Sequence, residues 1–207
     1  MLSTSKISLL ALALTLAAPV TQAYDKYWND IGFSGKVRDY KFYLKSDQRF
    51  RDKASDFHYF NGKLGISRML TDQFEGGIEF RYGDDENSSG IHTDEIRIAP
   101  FLVHKYQPAE HWQVASRLRL ENRWKDSDYN FRTRLRVKVS RAFSGFGLYA
   151  SHEYFYDVSN SSFNQTRTAA GGTVKVTDKL SAGVYLMHQD SGATSAQVLG
   201  TSISYKL

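Results

Sequence analysis

Between Trp112 and Arg141 apolar and charged residues alternate one by one. Trp112, Val114, Ser116, Leu118, Leu120 and Trp124 share one parity, while Gln113, Arg117, Arg119, Glu121, Arg123 and Lys125 share the other. After Lys125-Asp126-Ser127-Asp128, Phe131, Thr133, Leu135, Val137 and Val139 repeat the apolar parity, opposite Arg132, Arg134, Arg136 and Lys138. Successive side chains of a strand point to opposite faces, so a period of two sustained over about ten residues predicts a strand with one apolar and one charged face. A helix would spread these charges around its whole circumference.

Weaker alternation predicts further strands near 41–53, 56–70, 73–84, 93–106, 146–157, 165–177, 180–190 and 197–207, giving about ten with the two above. Residues 24–40 have room for one more pair, which would make twelve. Short connections (70–72, 108–110, 142–145, 177–179) alternate with longer polar ones (84–92, 125–129, 157–164, 190–196). The connection at 53–55 is the short exception among the latter. An even strand count would put both termini at the same end, on the periplasmic side of a barrel. Pro100 cannot donate to a ladder, which predicts a bulge there. Trp112 and Trp124 bracket the apolar face of one strand, a spacing that suits a lipid-facing band about 25 Å tall between aromatic girdles. The pattern as a whole predicts an all-β, antiparallel transmembrane β-barrel, single-domain over 24–207.

Composition agrees. The chain has 13 Tyr, 13 Phe and 3 Trp, residues that favour strands. A mean hydropathy of −0.47 suits a barrel, whose strands hide their apolar half by alternation. The N-terminus carries Lys6, an apolar run from Ile7 to Ala18, Pro19 and a small-x-small end at Thr21-Gln22-Ala23. That is the layout of a cleaved signal peptide over 1–23, and the apolar run is too short for a membrane helix. There is no cysteine, which removes disulfides and thiolate metal sites. Export and a lipid-facing barrel together imply the Gram-negative outer membrane, with its lipid as the first partner.

Two resemblances add to this. The stretch Arg117–Arg136 (RLRLENRW, then FRTRLR), with Glu153-x-Phe155, Arg167 and Gly172, resembles an uncharacterised family of small outer-membrane barrels over the C-terminal half. The ending Ser204-Tyr205-Lys206-Leu207 and the basic interior resemble the small monomeric porins specific for oligogalacturonate and sialic acid, which have twelve strands. That likeness implies a monomeric passive channel for small anionic solutes such as acidic sugars. Its pore lining would be a ladder of Arg117, Arg119, Arg123, Arg132, Arg134, Arg136 and Lys138, with Arg81, Arg97, Arg167 and Lys175 from other strands. Guanidinium forks bind carboxylates two at a time and draw anions into a narrow bore.

The same residues admit a closed alternative. If Arg132, Arg134 and their neighbours pair with Glu79, Glu95, Glu121 and Glu153, the interior is a packed polar core and the barrel is a structural or interaction protein. A lipid-modifying enzyme is a third, weaker reading. Phe57-His58-Tyr59-Phe60-Asn61-Gly62 is reminiscent of the His-x-Ser-Asn core of barrel lipid hydrolases, but Phe60 stands where the nucleophile belongs. Ser151 and His152 are neighbours that point to opposite faces. The six histidines lack metal-ligand spacing, and Asp84-Asp85-Glu86 lacks the order of a calcium loop. Nothing resembles a phosphate loop or a nucleic-acid motif. The expectation is therefore a non-enzymatic barrel without metal or cofactor.

Overall fold

In the computed structural model, residues 24–126 and 128–207 are described; the expected signal peptide lies outside them. Eleven strands form a closed barrel: β1 (Lys26–Val37), β2 (Tyr40–Arg51), β3 (Asp56–Met69), β4 (Phe74–Glu86), β5 (His92–Tyr106), β6 (Trp112–Lys125), β7 (Asp128–Ala142), β8 (Phe146–Asp157), β9 (Ser162–Lys175), β10 (Leu180–Asp190) and β11 (Ser195–Lys206). Consecutive strands pair antiparallel. Closure differs, because β1 runs parallel to β11, with Lys26 beside Val198 and Ser34 beside Lys206.

The eleventh strand is β1, added from residues 26–37 to the ten read from the alternation. The odd count corrects the expectation that both termini share an end. Asp25 donates its amide to Gln197 at the start of β11, whereas the Leu207 amide bonds Ser34 near the end of β1. The chain therefore enters the barrel at one end and leaves at the other. These are called the Asp25 end and the Leu207 end below.

Pro100 corrects a second expectation. It faces Ile78 of β4 without a register shift, and the β5–β6 ladder skips 99–100 and resumes in the same register. Losing one donor interrupts the ladder without adding a residue. The two register shifts fall instead between Arg49 and Phe50 and between Phe155 and Tyr156.

The alternation fixes which face is which. Leu44, Leu64, Ile78, Phe80, Leu102, Leu118, Leu135, Leu148, Val184, Leu186 and Ile203 are exposed on the outside. Aromatic residues bracket this belt. Tyr40, Phe74, Tyr106, Trp112 and Tyr205 stand toward the Leu207 end, and Phe60, Tyr82, Trp124, Tyr129 and Phe163 toward the Asp25 end. An apolar surface that encircles the molecule is far larger than a water-soluble monomer exposes. Inside, Asp47, Glu79, Arg97, Arg119, Glu121 and Arg134 are buried. Closure also explains two inward glycines: a Cβ at Gly65 would stand 2.1 Å from the Tyr43 ring, and one at Gly200 only 2.0 Å from the Tyr185 ring. Each tyrosine lies across its neighbour's bare backbone.

Candidate functional site

The interior is divided into two unlike halves. Along β7 from the Asp25 end the inward residues are Asn130, Arg132, Arg134, Arg136 and Lys138; the middle pair Arg132 and Arg134 is buried, while Arg136 and Lys138 are part-exposed. On β2, Asp47 is buried, whereas Lys45, one step nearer the Leu207 end, is exposed to the bore. Burial therefore falls along the lumen axis.

The half toward the Asp25 end is packed around Glu121, which has no exposed surface. Its carboxylate accepts from Arg97 Nη1 at 2.9 Å, Arg134 Nη1 at 2.9 Å, and Arg132 Nη2 at 2.7 Å and Nε at 2.9 Å. Arg119 lies 3.9 Å away. Glu153 accepts from Arg134 at 2.8 Å and 3.2 Å and pairs with Arg117 at 3.5 Å. Glu95 holds Arg123 at 2.9 Å and 3.1 Å and also pairs with Arg97. Glu79 holds Arg119 at 3.0 Å and accepts from the Tyr43 hydroxyl at 2.7 Å.

Aromatic rings fill the space between these pairs. Arg49 stacks on Trp28 at 3.9 Å and on Tyr59 at 4.3 Å. Arg132, Arg134 and Arg167 approach Phe155 at 4.8, 4.5 and 4.8 Å, and Phe155 has no exposed surface. A desolvated cation on a ring face contributes about 2 kcal/mol. Trp28, Met187 and Val198 complete the packing with a small apolar cluster.

The half toward the Leu207 end encloses a cavity of about 640 Å³. Its walls include Lys41, Tyr43, Lys45, Lys63, Arg117, Arg136, Lys138, Tyr149, Ser151, Tyr185 and Ser202, and its inner end is formed by Arg49, Arg81 and Arg167. Eleven lysines and arginines line it against five carboxylates, those of Asp30, Asp47, Glu75, Glu79 and Glu153. Among the described residues Lys45, Arg81, Arg136, Lys138 and Arg167 make no ion pair. Arg136 Nε is buried without a hydrogen-bond partner, and Lys138 rests 4.1 Å over the Tyr149 ring.

The eleven cations expected to line a pore are thus sorted by position. Arg81, Arg117, Arg119, Arg134, Arg136, Lys138 and Arg167 reach the cavity wall. Arg97, Arg123 and Arg132 lie in the packed half, held by Glu95 and Glu121. Lys175 sits at the Leu207 rim, largely exposed and 3.0 Å from Asp178. All four expected acidic partners do accept from ladder arginines. Lys41, Lys45, Lys63 and Arg49 were not anticipated as lining residues, nor were the rings of Trp28, Tyr43, Tyr149 and Tyr185. The shared parity of the basic residues Lys41, Lys45 and Arg49 on β2, with Lys63 on β3, was the available signal. Ser151 faces the cavity, while His152 faces outward and bonds Thr168 Oγ1 at 2.8 Å. No group of histidine or carboxylate side chains among the described residues is arranged to hold a metal.

Comparison with known proteins agrees with this architecture. Residues 25–198 match the family described as "Protein of unknown function (DUF2490)", so the likeness to an uncharacterised family extends well beyond the C-terminal half. No curated protein matches the chain. Among solved structures, the KdgM porin in complex with disordered oligogalacturonate is 14% identical, with a TM-score of 0.53, covering 84% of this chain and 93% of that one. The KdgM porin alone is 12% identical, with a TM-score of 0.54 and the same coverage. The β domain of the Bordetella autotransporter BrkA is 11% identical, with a TM-score of 0.51, covering 80% and 82%. At these identities the likeness establishes a porin-like barrel fold.

Proposed function

We propose that this chain, which belongs to the DUF2490 family, is a monomeric outer-membrane barrel that takes small multivalent anions into a cationic chamber and passes them by passive diffusion. One observation carries the reading: eleven cations face five carboxylates around a cavity large enough for a small solute. A cluster of unpaired guanidinium and ammonium groups in a low-dielectric wall is stabilised when an anion enters, and repels cations. Lys45, Arg136 and Lys138 are the selecting groups, since each faces the cavity and, among the described residues, forms no ion pair. Acidic sugars suit the chamber, because guanidinium forks and phenol hydroxyls together match carboxylate and hydroxyl groups. The KdgM porin, which shares this fold, was solved with oligogalacturonate. No bond-making chemistry is assigned to the barrel.

The reading is tested by reversal potential across a salt gradient in a planar bilayer. The wild type is expected to conduct with anion preference, and Arg136→Glu with Lys138→Glu to lose or invert that preference while the barrel still folds. Unchanged selectivity would remove the chamber from the account. A second reading is a closed structural barrel, and the packed Glu121 half favours it. Folded protein that never conducts would select it.

A further inference from the structure

The two aromatic girdles differ in the charge that touches their rings. Around the Leu207 girdle, exposed cations lie over ring faces. Arg68 stands 5.9 Å from the Tyr40 ring, Arg141 5.3 Å from Trp112 and 4.9 Å from Phe143, and Lys179 6.0 Å from Tyr205. Among the described residues none of these three cations makes an ion pair. At the Asp25 girdle the partners are carboxylates. The Tyr82 hydroxyl donates to Asp94 at 2.7 Å, His92 lies 3.0 Å from Asp84, and Asp85, Asp126, Asp128 and Asp190 are exposed beyond them.

We infer that the Leu207 girdle is a seat for anionic phospholipid headgroups. An aromatic ring at the edge of an apolar belt sits at headgroup depth. A guanidinium or ammonium held on its face and facing no carboxylate presents free N–H donors to a phosphodiester. The three stacks lie on β2/β3, on β6/β7 and beside β10/β11, thus at three places around the eleven-strand wall. That distribution fits a leaflet, which surrounds the barrel, and does not fit a protein partner, which would cover one side. The acidic Asp25 girdle repels the same headgroups, so the inference also assigns the Leu207 end to a leaflet of anionic phospholipid. It rests on the membrane placement proposed above and is independent of transport.

The test uses Trp124→Phe protein, in which Trp112 is the remaining lipid-facing tryptophan, inserted into phosphatidylcholine vesicles containing brominated phosphatidylglycerol or brominated phosphatidylcholine. Phosphatidylglycerol is expected to quench Trp112 as though enriched about fivefold next to the girdle, the factor expected for a single basic residue near the surface. Arg68→Gln, Arg141→Gln and Lys179→Gln together should abolish the enrichment, and Arg68→Lys with Arg141→Lys should keep most of it. Equal quenching by both lipids in folded protein overturns the inference. Competition by free inorganic phosphate overturns it too, because the site would then read a soluble anion. No quenching by either lipid would instead overturn the membrane placement itself.

Discussion

Placing arginine at both Leu118 and Leu135 is expected to prevent the barrel from assembling in a bilayer. These two exposed leucines are direct cross-strand partners on β6 and β7, near the middle of both strands. One arginine on the lipid face at the bilayer midplane costs about 2–4 kcal/mol. The pair costs at least the sum, because the two cations would face each other across one register position and repel. That is a large part of the roughly 5–15 kcal/mol by which native domains are stable. Val114→Arg, close to Trp112 at the belt's edge, should cost only about 0–1 kcal/mol. The measurement is heat-modifiable migration and urea unfolding of barrels refolded into vesicles. Normal stability of the double variant would show that the exposed belt does not meet lipid.

Glu121→Gln is expected to be the most damaging conservative change inside the barrel. The carboxylate is wholly buried and accepts from Arg97, Arg132 and Arg134 at once. Gathering these charges in a low-dielectric interior carries a large desolvation cost, which the pairing offsets. Neutralising it leaves Arg132 with no carboxylate, while Arg97 and Arg134 keep only Glu95 and Glu153, and breaking a buried pair in this way costs about 3–5 kcal/mol. Glu75→Gln at the Leu207 rim is the matched control. Glu75 is itself buried, but its partners Lys41 and Lys105 are partly solvated, so water can take over much of the lost pairing and the change should cost clearly less. Unfolding midpoints should separate the two variants widely. Equal effects would mean that the Glu121 half is hydrated and not packed.

How much of this was legible in the sequence depended on what each face had to satisfy. From Trp112 to Arg141 the outward positions meet the apolar belt and the inward ones meet counter-charges. The alternation there is strict, and a one-residue slip would reverse every side chain. In residues 26–51 the same rule is blurred from both sides. Outward Asn29 donates to Gln48 at 3.0 Å and accepts from Thr201 at 3.2 Å, while Tyr27 meets Thr201 Oγ1 at 2.6 Å. These polar groups satisfy one another across β11, β1 and β2, and hydropathy reads them as loop. Inward Trp28 and Tyr43 are aromatic because they pack against Arg49 and Glu79. Strand β1 was therefore left open, and with it the parallel closure that separates the chain ends.

The ladder cations were readable as inward-facing, but their division was not. Arg119 meets Glu79 from 40 positions away, and Arg117 meets Glu153 from 36. Which arginines find a carboxylate depends on the stagger of strands around the closed wall, and local periodicity carries no information on that. Hence Arg132 and Arg136, two residues apart on one face, read alike in the sequence. In the structure one is held by Glu121 and the other lines a cavity without forming an ion pair.

The central claim is that one half of the lumen is an open, cationic chamber and the other a narrow constriction packed with ion pairs. Because the chain has no cysteine, single substitutions read this directly. Ser151 lines the chamber without contributing charge, and Ala99 is fully buried on the inward face of β5. The measurement is the reaction rate of Ser151→Cys and Ala99→Cys with anionic and cationic methanethiosulfonate reagents of similar size. The account predicts that the Ser151→Cys thiol reacts at least tenfold faster with the anionic reagent, the equivalent of about 1.4 kcal/mol of local potential, and that the Ala99→Cys thiol reacts with neither. Equal rates with both reagents at Ser151→Cys, or ready modification of Ala99→Cys, would contradict it.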